Sequence, residues 1–391
     1  MKGTLCFSAL FVVAFSACQT ASLPSTPFPL ETTPTAQSVE PTPTIIVTPT
    51  VIPSPTFEPS PTPTTATPPI GRPLIQEQAG DLYTSVFSIP VGEENLIQYQ
   101  GADIPEMPIT GPNALALLPD GTFLIADPIA NRLLNFDRTG NLLNQVELYD
   151  LGIVNVTDVR ADEEKLVLLE ISLDFSPPRY RVNQLSFEGK LLASEDIPET
   201  FGIDKGLTGI AIDCDGSVLL ELEGGFRLFR LQDLRNNPVD AQASGYNCAG
   251  KFYQIIESDS PEIRAMMAGD VRYETRLTGS FGSLALLKVF RDGSFTVVRE
   301  DVLEFLPEIT VDQTVHYLGA DGSTQAVARV PLAEMYYPIL RSVAVSDSGE
   351  GFFLLPRSRS LDVVRLNFYR SLNPLPPSSV LPEVIRAPAS P

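Results

Sequence analysis

The stretch Asn113-Ala114-Leu115-Ala116-Leu117-Leu118-Pro119-Asp120-Gly121-Thr122-Phe123-Leu124-Ile125-Ala126-Asp127 decides the fold. Two apolar runs of strand length flank Pro119-Asp120-Gly121. Asp-Gly between such runs marks a hairpin, because Gly takes the positive φ that the turn demands. Arg132-Leu133-Leu134-Asn135-Phe136-Asp137, a turn at Gly140 and residues 142–146 follow as a second hairpin. Together they make one small antiparallel sheet of four strands.

Working outward, the same unit returns. Residues 156–160, a turn at Glu163-Glu164, residues 166–170 and 182–187, and a turn at Gly189 repeat it, and Gly140 and Gly189 stand 49 residues apart. A third copy holds residues 207–212, Asp215-Gly216, residues 217–221 and residues 226–231. Later copies centre on Asp292-Gly293 and Ser348-Gly349, with an extra hairpin at Asp321-Gly322. Periods of about 40 to 50 residues with four strands each are those of propeller blades. The expectation is an all-β chain whose residues 71–375 form a six-bladed β-propeller. Closing the ring disposes of sheet edges. Residues 82–89 and 96–99 are expected to complete the last blade, at residues 342–368.

Residues 111–143 also carry a resemblance. Leu124-Ile125-Ala126-Asp127, Asn131-Arg132-Leu133 and Phe136-Asp137 with Gly140 are similar to an NHL-type propeller repeat. They also resemble the broader six-bladed group that includes sugar-lactone lactonases. The resemblance implies a fold and leaves activity open. A lactonase would need a divalent metal held by a Glu, two Asn or Asp and a further Asp, and Thr208 stands where one such Asp is expected.

The first 70 residues are of another kind. Met1-Lys2 precedes an apolar run over residues 5–17, too short to span a bilayer but suited to a signal-peptide core. It ends Phe15-Ser16-Ala17-Cys18, which resembles a bacterial lipobox with Cys18 as the lipidated residue. The expectation is a signal peptide over residues 1–17 and a lipoprotein on the outer face of the cell membrane. The alternative is ordinary cleavage near Ala17 and secretion. Residues 19–70 contain 14 Pro and 14 Thr and neither Lys nor Arg. Pro removes backbone donors and fixes φ, and such a composition buries too little apolar surface to fold. Residues 18–70 are therefore expected to be a disordered Pro/Thr-rich stalk, and residues 376–391 a disordered Pro-rich tail. Contact with the membrane would be made through the N-terminal lipid only.

The net charge is −21, of which −19 belongs to residues 71–391. A domain this acidic repels phosphate backbones, so nucleic acid is excluded as a partner and an envelope or extracellular ligand is expected. Cys6 leaves with the signal and Cys18 is taken by the lipobox. Cys214 and Cys248 remain, in an oxidising compartment, and are expected to form a disulfide.

The sequence offers little for catalysis. His316 is the single histidine, in the strand-like residues 314–318, so a multi-histidine zinc site is excluded. No Gly-x-Ser-x-Gly elbow, P-loop or dinucleotide fingerprint occurs. One constellation bears on metals. Asp127, Glu170 and Glu221 close the second strand of three units, with Glu300 as a fourth candidate. If the Asp-Gly turns share one face of the propeller, these acids gather towards the other. A ring of oxygen ligands there suits Ca²⁺ or a cationic ligand. The expected function is a surface-tethered, non-enzymatic binding module. The alternatives are a metal-dependent hydrolase of the lactonase type and a purely structural envelope protein.

Overall fold

The structure, a computed structural model, describes residues 73–77, 80–92, 95–102, 104, 107–172, 178–198, 207–222, 227–236, 245–248, 250–256, 262–266, 270–274, 280–304, 310–339 and 341–370. The expected signal peptide, Cys18, the expected stalk and the expected tail lie outside these residues.

The chain enters through β1 (Ile75–Gln76) and β2 (Tyr83–Pro90) and then builds its sheets in order. The first blade is β3 (Ala114–Leu117), β4 (Phe123–Asp127), β5 (Arg132–Phe136) and β6 (Leu142–Glu147). Its register pairs Leu117 with Phe123 and Asp127 with Arg132, which places the turns where the sequence puts them. The second is β7 (Val156–Ala161), β8 (Leu166–Ser172), β9 (Arg179–Leu185) and β10 (Leu191–Asp196). The third is β11 (Leu207–Ile212), β12 (Val218–Leu222) and β13 (Arg227–Arg230), followed by the short helix α1 (Leu231–Asn236). The fourth is β14 (Tyr246–Cys248), β15 (Lys251–Ile256), β16 (Glu262–Met266) and β17 (Asp270–Glu274). The fifth is β18 (Ser280–Val289), β19 (Phe295–Glu304), β20 (Thr310–Leu318) and β21 (Thr324–Arg329). The last is β22 (Val343–Val345), β23 (Gly351–Pro356) and β24 (Ser360–Leu366), and β25 (Phe368–Tyr369) ends the described chain.

The fold is all-β and propeller-like, as expected, with one correction to the count. The sheet of four or more strands occurs five times and not six. Among the described residues the third sheet has three strands. Within the described residues β13 passes directly into α1.

The first and last strands of the described residues close the ring. β2 pairs antiparallel with β24 over Tyr83–Pro90, so the last blade takes its outermost strand from the N-terminus. β1 lies parallel to β25 on the outer side of the fifth sheet. Residues 96–99 are not a strand. Ile97 makes an isolated bridge to Val91 and is wholly buried.

Apolar side chains pack between blades, because each sheet must cover both of its faces. One cluster joins the last blade to the first, with Phe87 5.4 Å from Phe123 and Phe123 5.1 Å from Phe352. Others lie between the first and second blades, around Leu133 and Val159, and between the second and third, around Val167 and Leu220. The outer turns interlock with the preceding blade. Gly140 (φ +86°) sits on Phe87 of β2, and Gly189 (φ +85°) sits on Val146 of β6. A Cβ at Gly140 would stand 2.8 Å from Phe87 and one at Gly189 2.6 Å from Val146, so both turns need Gly for space as well as for φ.

Candidate functional site

β22, β3, β7 and β11 are the inner strands of four blades. Arg341, one turn of chain before β22, bridges to Ala114 of β3 through its backbone. Its side chain then reaches past the first blade. Nε stands 3.4 Å from Asp158 of β7, and an Nη donates to Glu221 of β12. The guanidinium lies against Gly209 of β11, where a Cβ would come within 1.8 Å of it. Gly209 therefore makes the room that Arg341 occupies.

The acceptors are held in turn. Asp158 Oδ2 also accepts the Ile210 N–H at 2.9 Å, and Arg160 lies 3.5 Å from Asp158 Oδ1. Arg160 Nε donates to the Ile210 carbonyl at 3.1 Å. Burial alone would pull the pKa of Arg341 down. Glu221 and Asp158 outweigh that and hold it above the ordinary arginine value. The middle of the ring is thus crossed by one cation shared between two buried carboxylates of the second and third blades.

The acids expected to form a ring are distributed differently. Asp127 ends β4, is buried, and accepts from Arg132 at 3.1 Å and from the Ala130 N–H at 3.4 Å. Burial raises its pKa against those two hydrogen bonds. Glu170 lies inside β8, accepting from the Val154 N–H at 3.2 Å and from Asn183 Nδ2 at 2.7 Å. Asn183 in turn accepts from Ser194, so this chain runs outward along the blade and away from the axis. Glu221 belongs to Arg341. Glu300 lies mid-strand in β19, with its pKa raised by burial and by neighbouring Asp301. Among the described residues no group of three or more His, Cys, Asp or Glu stands close enough to hold a metal. Thr208 donates to the Glu221 carbonyl at 3.2 Å.

At the Asp-Gly end of the third blade, Cys214 and Cys248 form the expected disulfide, with Cα atoms 4.8 Å apart. The Cys214 N–H donates to the Asn247 carbonyl at 3.0 Å, fastening the turn to β14. Asp213 and Asp215 flank the bridge. One Nη of Arg230 reaches both carboxylates, at 3.0 and 3.5 Å. Burial, and then the neighbouring Asp215, push the Asp213 pKa up to about 7, while Asp215 is held well below the usual carboxylate range by its hydrogen bond from Asp213.

His316 lies in β20, where its Nε2 is 3.0 Å from Thr314 Oγ1. It shares a sheet face with Arg299, paired to Asp301 at 2.8 Å, and with Arg329, 3.1 Å from Asp312. Burial, then Arg299, lower the His316 pKa to about 4, so the ring is neutral at pH 7. This polar face was present in the sequence as charged or hydroxyl residues at alternate positions of two long strands. Arg341 left a fainter mark, a single cation ahead of the apolar run Val343-Ala344-Val345.

The sheets and their closure define a β-propeller. No protein-family model matches the chain, and no curated protein matches it. Solved structures do. A member of the DUF4221 family from Bacteroides vulgatus shares 10% identity over 73% of this chain and 97% of its own, at a TM-score of 0.43. The PQQ-bound aldose sugar dehydrogenase from Streptomyces coelicolor shares 14% identity over 66% and 94%, at 0.38. Virginiamycin B lyase from Staphylococcus aureus shares 10% identity over 65% and 94%, at 0.35. Likeness at this level carries no argument about activity.

Proposed function

We propose that this chain is an exported, lipid-anchored β-propeller that binds a ligand or partner protein outside the membrane and does not turn over a substrate. The observation that carries the reading is the Arg341 bridge. Asp158 of the inner strand β7 and Glu221 of β12 are committed to a guanidinium that ties blades together. Asp127 and Glu170 are likewise committed to Arg132 and Asn183. A propeller that worked on a substrate or metal at its centre would keep such groups available there. His316 is held within the fifth blade and is not at the axis strands.

Export is supported by the sequence of residues 1–17 and by Cys18, and a Pro/Thr-rich stalk of this composition holds a domain away from its anchor. The Cys214–Cys248 disulfide suits an oxidising compartment. No helix among the described residues is long and apolar enough to cross a membrane.

Two measurements test the reading. Growth of the producing cell with an azido fatty acid should label the full-length chain, and Cys18→Ala should abolish the label. Incubation of the purified mature chain with isolated envelope should give saturable co-sedimentation with no chemical change in small envelope components. Turnover without retention would contradict it.

A further inference from the structure

The turn between β11 and β12 reads Asp213-Cys214-Asp215-Gly216-Ser217, and its two carboxylates compete for the same donors. The Ser217 N–H points at both, 3.0 Å from an oxygen of Asp213 and 3.0 Å from one of Asp215. The Arg230 Nη that reaches both is the second shared donor. The two acids are placed unequally. The Asp213 side chain is wholly buried, whereas that of Asp215 is 45% exposed. Two carboxylates on common donors repel when both are ionised, and one proton held between them relieves the repulsion.

The pair is built into the joint between the third and fourth blades. Cys214, the residue between the two acids, is bonded to Cys248, and its N–H donates to the Asn247 carbonyl. Asn247 Nδ2 donates back to Asp215 at 3.2 Å. The turn and β14 thus meet through the disulfide, the Cys214 amide and the Asp215 carboxylate. The other elements packed here leave Arg230 to balance both acids. From β14 comes Tyr246, whose hydroxyl pKa is raised by burial and then by Asp213, with Arg160, Asp347 and Glu221 acting on the same group. From the β7–β8 turn, Lys165 donates to the Gly216 carbonyl at 3.2 Å and lies 3.9 Å from Asp162. From β18 the Val289 carbonyl lies 3.7 and 3.9 Å from the two sulfurs.

We propose that Asp213 and Asp215 form a pH-governed clasp between the third and fourth blades. One shared proton locks the β11–β12 turn to β14. When it leaves, the buried Asp213 keeps Arg230, and the half-exposed Asp215 swings into water and releases Asn247. The disulfide then remains as the tether, so the joint loosens without separating and closes again when the proton returns.

Hydrogen exchange on the full chain at pH 6 and pH 8, corrected for the intrinsic rates, tests the clasp. With the Asp213 pKa at about 7 in the closed joint and the acid ionised in the open one, the opening equilibrium should rise about tenfold across that interval. Protection of the Cys214 and Ser217 amides should fall by that factor. Thr122, whose N–H is held by Asp120 at 2.9 Å in the first blade, should show no such fall. Asp213→Asn and Asp215→Asn should each abolish it, the first by removing the group that holds the proton and the second by removing the charge that retains it. Asp215 lies half in water, so its variant decides the matter even where the buried Asp213→Asn fails to fold. Constant protection in the wild type, an equal fall at Thr122, or a fall that survives Asp215→Asn would each overturn the proposal.

Discussion

Arg341, from the start of the last blade, stands 3.4 Å from Asp158 of the second blade and also holds Glu221 of the third. Three blades distant in sequence are thereby joined across the axis by one side chain.

Removing that cation should be costly. Arg341→Met keeps most of the apolar bulk but leaves buried Glu221 without its counter-charge and Asp158 with Arg160 alone. The expected loss is about 3 to 5 kcal/mol, the range for breaking a buried ion pair from one side. Urea unfolding of the variant measures it. Adding Asp158→Asn and Glu221→Gln should recover part of the loss, since neutral amides tolerate the same burial better.

The disulfide closes a loop of 34 residues between the third and fourth blades. Cys214→Ser with Cys248→Ser should lower stability by about 4 kcal/mol on the chain-entropy scale. Paired denaturation curves of the wild type and the double variant check this. A thiol titration of the unreduced mature chain should find neither of these two cysteines.

Two buried groups impose opposite pH slopes. The Asp213 pKa is raised to about 7, so the folded state keeps a proton that the unfolded chain gives up above about 4. This contribution to stability is present at low pH and is lost as pH rises through 7. His316, lowered to about 4, stays neutral when folded while the unfolded chain protonates below about 6.5. Its contribution is lost as pH falls. Asp213→Asn should make stability rise more steeply between pH 4 and 7, and His316→Gln should make it fall more steeply. Urea midpoints over pH 4–8 read both signs, and the reverse signs would contradict the burial described for these groups.

Calcium should leave the melting temperature of the propeller unchanged. A site occupied in the folded state alone would raise it by mass action. Asp127, Glu170 and Glu221 instead each serve a separate protein partner. Thermal melting with and without millimolar calcium decides the matter.

Phe87 ties β2 to the first blade, lying 5.4 Å from Phe123 and 5.8 Å from Phe136. Phe87→Ala should cost about 3 to 5 kcal/mol, as for other buried phenylalanines. It should also loosen β2, which hydrogen exchange on residues 83–90 will register.

Much of this architecture could be read from turns. Asp120-Gly121, Gly140, Gly189, Asp215-Gly216 and Asp292-Gly293 all sit in turns with positive φ at Gly, because local φ requirements are written in single residues. The disulfide was likewise legible from the compartment and the count of cysteines. The helix that follows β13 was not, since nothing local in residues 226–231 distinguishes a third strand followed by a helix from one followed by a fourth strand. The acids were found, but their partners were not. Glu221 and Arg341 are 120 residues apart, and which charges meet across a ring depends on its closure. The polar face of β19 and β20 was visible as alternation, yet alternation alone does not say whether a face meets water or another blade.

The most direct test of the closed ring lies where β2 meets β24. Ser88 of β2 donates to Asp362 of β24 at 2.5 Å, across 274 residues of sequence. The variant Ser88→Cys with Asp362→Cys places two thiols within disulfide reach. Oxidation of the folded protein should link the tryptic peptides that carry residues 88 and 362, with the melting temperature maintained or raised. Two free thiols at these positions in the folded, oxidised chain would contradict the closure on which this account stands.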